Sequence, residues 1–218
     1  MQESEKIVIA WCDNGMVHGQ FAHSLSNLLI DNDNVVEIIR SGGKNINLQR
    51  QEVLDFWMQK DFDDTDWLLW IDSDIEFSKE NFEELINSAD KDNFPVVSGF
   101  YYLIMNKDDS GVLIPQLSFF ADNDENLEGM KRVTSTGFGM ILMHRDVIRK
   151  LYKDFHNKHL FNKSQETRYD LLIGEDVYFC SHLNAIDIPI YVNCNVSLKH
   201  HKTYCLDENY SKLYWSKK

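Results

Sequence analysis

Asp72, Ser73 and Asp74 directly follow the continuous apolar run Trp67–Ile71 (WLLWI). Such a run is expected of a β-strand covered on both faces. Strands of a parallel sheet end at a crevice where ligands bind. Two carboxylates at i and i+2 on the extended exit from a strand can both lean into that crevice. A divalent cation held there would clamp a diphosphate, and hard oxygen ligands suit Mg²⁺ or Mn²⁺. The tripeptide alone says little, because Asp-x-Asp also occurs at 31/33, 61/63, 64/66, 90/92 and 122/124. Those triplets sit in polar turns; only 72/74 follows a long buried-strand run.

Other residues have both a plain and a chemical reading. Glu175 and Asp176 open a helix after Gly174. Acidic residues in a first turn ordinarily complement the helix dipole. Beside a metal–diphosphate, one of them could instead be a general base or hold an acceptor hydroxyl. His200 and His201, flanked by Lys199 and Lys202, read as a surface patch, or as an imidazole completing a metal site begun by Asp74 with lysines facing phosphate. Arg50 is either a surface arginine lying over apolar neighbours or a fixed cation for phosphate or a site carboxylate. Thr134–Gly139 is a turn entering a strand, or a source of hydroxyls and backbone amides for a sugar.

The elements that would position these residues follow from the hydrophobic pattern. Lys6–Cys12 is rich in β-branched residues and reads as a buried strand ended by Asp13, Asn14 and Gly15. Phe21, Leu25, Leu28 and Leu29 recur at helical spacing. Val35–Ile39 is a second strand and Ser41-Gly42-Gly43 a loop; a helix with Val53, Leu54 and Trp57 on one face leads to Trp67–Ile71. Ser78 is a good N-cap, with Glu80 in the first turn behind it. Another strand lies within Phe94–Tyr101. This alternation predicts a parallel sheet with helices on both faces. In the second half, Val112–Phe120 and Lys131–Thr134 read as hairpin strands around the acidic loop Asp122–Glu128. Gly139–His144 is a buried strand before an amphipathic helix from Arg145. His156–Asp170 is polar and irregular, a helix follows Gly174, Ile190–Val192 is a short strand, and the last twenty or so residues carry no periodicity.

The chain has 218 residues, 43% hydrophobic and 12% aromatic, with five tryptophans, three prolines and ten glycines. That suits one sizeable core and offers no linker. Its 22 basic and 35 acidic residues give a net charge of −13, which argues against nucleic acid or an anionic membrane as the main partner. A negatively charged substrate would need a local cation, such as a bound metal. The start, MQESEKIVIAW, lacks the features of a signal peptide, and no stretch has the length of a membrane span. Cys12, Cys180, Cys194 and Cys205 are scattered, with no CxxC pair, and fit reduced thiols in a cytoplasm.

Taken in order, these segments resemble the GT-A superfamily of glycosyltransferases, in particular compact family-2-like enzymes of bacteria and phages. Four segments carry the resemblance, which spans Ile7 to about Lys202. The first strand leads into Trp11-Cys12-Asp13. Arg50 and its helix run into Trp67–Asp74, the Asp-x-Asp strand. Thr136–Met140 matches the strand behind an acceptor pocket. Gly174–Cys180 and Val196–His200 match a Glu-Asp helix and a closing histidine. The resemblance implies an α/β, Rossmann-like nucleotide-diphospho-sugar transferase fold, with a mixed, mostly parallel central sheet flanked by helices. It implies a single domain over 1–218: a nucleotide-sugar half to about 105, an acceptor half to about 202, and a tail from 203 to 218.

By the same resemblance, Asp74 and His200 hold Mn²⁺ (or Mg²⁺) with the donor diphosphate, and Asp72 contacts the donor or the metal. Trp11, Asp13, Arg50, Ser73 and Gly137 serve the nucleotide sugar, and Lys202 meets a phosphate. Asp176, or failing it Glu175, is the base. His201 competes with His200 as metal ligand. The implied reaction moves a sugar from a nucleotide-diphospho-sugar, expected to be a UDP-sugar, to the hydroxyl of a glycan, lipid or protein. It would run in the cytoplasm, the host's if the chain is phage-encoded. A sugar-nucleotide nucleotidyltransferase of related fold would need a basic, Gly-rich loop after the first strand, but Asp13–Gly19 has no Lys or Arg. A non-catalytic carbohydrate-binding domain would explain the aromatics without a metal site.

Overall fold

The computed structural model describes residues 5–30, 32–59, 62–105, 112–119, 127–155, 159–162, 164–166 and 171–202. The acidic segment 122–126, Cys205 and the tail after Lys202 lie outside them. In chain order the elements are β1 (Ile7–Asp13), α1 (Gly19–Ile30), β2 (Val35–Gly42), α2 (Ile46–Trp57), β3 (Trp67–Ile71), β4 (Ile75–Glu76), α3 (Lys79–Ser88), β5 (Val96–Phe100), β6 (Tyr102–Met105) and β7 (Val112–Pro115). They continue with β8 (Leu117–Phe119), β9 (Met130–Thr136), β10 (Met140–His144), α4 (Arg145–Phe155), β11 (Ser164–Glu166), β12 (Leu171–Ile173), α5 (Glu175–Ala185), β13 (Ile190–Ser197) and β14 (Lys199–His200).

An eight-stranded sheet with order β2-β1-β3-β10-β5-β13-β9-β8 forms the centre. β10 and β9 run against the other six strands, so the sheet is mixed and mostly parallel. The run Trp67–Ile71 shows why its strand is apolar throughout: all five residues are at most 2% exposed. Leu68 and Trp70 enter one core with Val53, Leu54 and Trp57 of α2, Ile148 of α4 and Phe179 of α5. Trp67, Leu69 and Ile71 enter a second core with Phe21 and Leu28 of α1 and Phe82 and Leu85 of α3. Alternate side chains of a strand point to opposite faces, and each large apolar side chain so buried is worth roughly 1.5–3 kcal/mol. Ser78 caps α3 by accepting from the amide of Asn81, whose side chain accepts from the Ser78 amide in return.

Several expectations are corrected. The first half is not a purely parallel unit, since β10 inserts antiparallel between β3 and β5. Leu29 is exposed on α1. Val112–Phe120 is divided at Gln116 into β7, which pairs with β6, and β8, which pairs with β9. The segment read as irregular contributes β11, paired with β12. β13 extends to Ser197.

Candidate active site

The backbone after β3 is fixed from three directions. The Asp72 amide donates to Gly139 just before β10, the Ser73 carbonyl accepts from His18 in the loop after β1, and the Asp74 carbonyl accepts from His201. The last bond extends the pairing of β4 with β14, which sets Ile75 opposite His200 and Glu76 opposite Lys199. A two-residue strand thus carries a segment 125 residues downstream onto the Asp-Ser-Asp turn.

Adjacent residues of this extended segment face different partners. His200 Nε2 is 3.3 Å from Asp74 Oδ2, and Lys202 Nζ lies 2.5 Å from the same oxygen. His201 instead places Nε2 2.7 Å from Glu76 Oε2 and stacks on His18 at 4.2 Å. The other His200 nitrogen, Nδ1, is 3.1 Å from the Tyr102 carbonyl oxygen. A carbonyl only accepts, so Nδ1 carries a proton and Nε2 is the nitrogen turned toward Asp74, the one a metal would take in a neutral ring. A backbone carbonyl commonly fixes the tautomer of a metal-ligating histidine in this way.

Arg50 is 4% exposed and lies 4.6 Å over the Phe138 ring. Its Nη2 donates to Asp72 Oδ1 at 3.0 Å, and its Nη1 stands 3.2 Å from Glu175 Oε1 without aligning for a hydrogen bond. Burial disfavours this cation, yet Asp72, Glu175 and Asp176 outweigh the penalty and hold its pKa above the ordinary value. Desolvation raises the Asp72 carboxyl pKa against the pull of Arg50, with the Asp74 charge adding to the rise. Burial likewise raises Asp176, against Arg50 and the Val177 amide. Asp74 behaves oppositely: burial opposes ionisation, but bonds from His200 and Lys202 prevail and bring it down to about 2.

A cavity of about 550 Å³ opens beside this turn, lined by Asp13–Asn14, Met16–His18, Lys44, Ile46, Gln49, Ser73, Asp74, His201 and Lys202. That size suits a nucleotide-scale ligand. Ser73, Asp74 and Lys202 are among the residues singled out in the sequence. Asp13 also borders the cavity, but its carboxylate has no free acceptor position. Arg40 Nε and Trp11 Nε1 donate to Oδ2, while Arg40 Nη2 and the Gly15 amide donate to Oδ1. Asp13 therefore clamps the ends of β1 and β2, and the positive φ of 102° at Gly15 completes its turn. Trp11 does not line the cavity; its ring meets Phe21 edge-on. Gly137 does not offer a free amide, because its N–H donates to Gln116. A Cβ there would come within 2.1 Å of the Tyr101 hydroxyl oxygen. Arg50, Asp72, His200, Glu175 and Asp176 lie outside the cavity lining; Arg50 links Glu175 to Asp72.

Sequence reasoning missed Lys44, Gln49, Arg40 and Tyr101. A lysine following two glycines was a signal for the first, whereas no local pattern marks the others.

Among the described residues, no three His, Cys, Asp or Glu side chains stand together as a ready metal cage. Asp74 and His200 nevertheless bring one carboxylate oxygen and one imidazole nitrogen together. Mg²⁺-type sites commonly use one or two protein ligands and complete their shell with substrate phosphates and water. The donor set therefore fits a metal that arrives with a diphosphate.

Comparison with known proteins bears on the same segments. Residues 25–152 match the family Glycosyl transferase family 2, a span that contains Arg50, the Asp72–Asp74 turn and Gly137. Among solved structures, the chain is similar to A197 from STIV, with 21% identity, 93% of this chain and 97% of that chain covered, and a TM-score of 0.53. That similarity is one of fold. No curated protein matches the chain.

Proposed function

This chain belongs to glycosyl transferase family 2, and we propose that it is a metal-dependent enzyme that moves a sugar from a UDP-sugar to an acceptor hydroxyl. The observation that carries this reading is the meeting of His200 Nε2 and Lys202 Nζ on Asp74 Oδ2, at the edge of a nucleotide-sized cavity.

In this reading Asp74 and His200 would hold Mn²⁺ or Mg²⁺, which would supply Lewis-acid stabilisation of charge on the departing diphosphate. Lys202 leaves Asp74 for a phosphate oxygen, so that it too meets charge that grows as the anomeric C–O bond breaks. Arg50 holds Asp72 through Nη2 and faces Glu175 with Nη1, which would position Asp72 beside the donor. The acceptor oxygen forms the new bond to the anomeric carbon and gives up its proton. On an inverting course Asp176 takes that proton, and its raised pKa brings it closer to what a base needs near neutrality. Asp74 and Lys202 on the cavity rim, with Asp72 and the buried Arg50 behind it, favour this reading over a binding domain without chemistry.

The test is release of nucleotide from a panel of UDP-, GDP-, CDP- and ADP-sugars, with and without Mn²⁺. Release from a UDP-sugar that depends on the metal supports the proposal. Activity that ignores metal, or formation of a sugar nucleotide from a nucleoside triphosphate, contradicts it.

A further inference from the structure

Three consecutive residues hold the segment that carries His200. The Phe100 carbonyl accepts from the Leu198 amide at 2.8 Å, and the Tyr102 carbonyl faces His200 Nδ1 at 3.1 Å. Between them, Tyr101 meets the His200 imidazole edge to face, with ring centroids 5.1 Å apart and planes at 80°. Ring quadrupoles favour that arrangement. A hydrogen bond to a carbonyl tolerates a broad range of directions. The bond to Tyr102 therefore fixes one atom of the imidazole, and contact with the Tyr101 ring limits the remaining tilt.

Tyr101 is itself pinned at both ends. Its carbonyl accepts from the Gln116 amide at 3.0 Å, and its hydroxyl oxygen accepts from the Gly139 amide at 3.3 Å. Gly139 is also the residue whose carbonyl takes the Asp72 amide. The tyrosine thus runs from the residue that fixes the Asp-Ser-Asp turn to the imidazole that faces Asp74. Its seat exists because two side chains are missing. A Cβ on Gly137 would come within 2.1 Å of the hydroxyl oxygen, and one on Gly139 within 2.4 Å of the ring. Tyr101 is buried and borders no part of the cavity, so its effect on the site passes through what it packs against.

We propose that Tyr101 is the positioning residue for His200: its anchored ring holds the imidazole at the tilt that turns Nε2 toward Asp74. This rests on the reading of Asp74 and His200 as metal ligands. Tyr101 makes no bond to metal, nucleotide or sugar. A ligand nitrogen must aim its lone pair at the ion, and the groups behind a ligand histidine set that aim and with it the affinity for metal. Loss of the ring therefore weakens what the metal contributes to nucleotide binding, and leaves what the cavity contributes without metal.

Calorimetric titration with UDP, once with Mn²⁺ and once with a chelator, tests this on the wild type, Tyr101→Leu, Tyr101→Phe and His200→Ala. The quantity read is the gain in UDP affinity that Mn²⁺ confers. His200→Ala is expected to lose most of that gain. Tyr101→Leu is expected to cut it about tenfold, the worth of a good ring pair. In the same variant, UDP without metal binds within about twofold of wild type. Tyr101→Phe keeps the ring but loses its bond to Gly139, and cuts the gain about threefold. If Tyr101 only fills the core, Tyr101→Leu leaves the gain unchanged however far its urea midpoint falls. That result overturns the inference and leaves the metal site standing. Should Tyr101→Leu not fold, an unchanged gain in Tyr101→Phe overturns it equally. A wild type with no gain from Mn²⁺, or a His200→Ala variant that keeps the gain, overturns the site reading and the inference together.

Discussion

At Asp74, an imidazole and an ammonium meet one carboxylate oxygen, and only His200 can be a metal ligand while remaining neutral. His201 is committed to Glu76 and His18. His200→Ala is therefore expected to weaken Mn²⁺-dependent turnover by more than tenfold, in line with the loss of a ligand, and His201→Ala by far less. Metal titration of both variants reads this, and a larger effect at His201 would move the ligand by one position. A base must be ionised, and burial raises the Asp176 carboxyl above its ordinary 3.8. Activity should accordingly fall on the acid side at a pH above that value. The sign for stability is opposite to that of a paired carboxylate. A raised pKa means that the ionised form burdens the fold above the folded pKa, and the burden is gone below 3.8. Asp176→Asn is expected to abolish turnover while melting no lower than wild type at neutral pH. A variant that keeps its activity would remove Asp176 from the chemistry.

At the scale of elements, the turn from β9 into β10 depends on Tyr101, the residue between β5 and β6. Gly137 and Gly139 leave room for that ring, and a Cβ on either would sit within 2.4 Å of it. Gly137→Ala should cost about 1–3 kcal/mol by overpacking, seen as a lower midpoint in urea. Tyr101→Phe in the same chain should recover part of it, because the hydroxyl oxygen is the nearest clash. Unchanged stability in the single variant would mean that the turn yields easily. These contacts also mark what the sequence could and could not reveal. The strand before Asp72 was legible because a bounded run of five consecutive apolar residues fits a strand covered on both faces. The Ser78 cap was legible because its signal is local. The β4–β14 strap was not, since two-residue strands have no periodicity, nor was β10's place between β3 and β5, which is decided by tertiary pairing. Asp13 and Arg40 are 27 residues apart, and nothing local joins them. From the residues, an imidazole of the His200-His201 pair beside Asp74 was one of two readings, and the family resemblance chose His200; alternation along an extended chain puts Lys202 on the same side.

For the whole molecule, an acidic chain of net charge −13 binds an anionic donor only where local cations outweigh that field. Lys44 and Lys202 line the cavity, while Arg50 lies behind it. Among the described residues, no helix is long and apolar enough to cross a membrane. The central claim is that metal and diphosphate bind as one unit on Asp74 and His200. Ligands that bind only the native state raise its melting temperature by mass action. Thermal unfolding with Mn²⁺ alone, UDP alone and both together tests the claim most directly, read alongside Asp74→Ala. In that variant the baseline should change little, because a partly exposed ion pair is worth about 0–1 kcal/mol. The account predicts that the rise with both ligands exceeds the sum of the separate rises in the wild type, and that this excess vanishes in Asp74→Ala. Additive shifts, no shift with any metal–nucleotide pair, or an excess that survives the loss of Asp74 would contradict it.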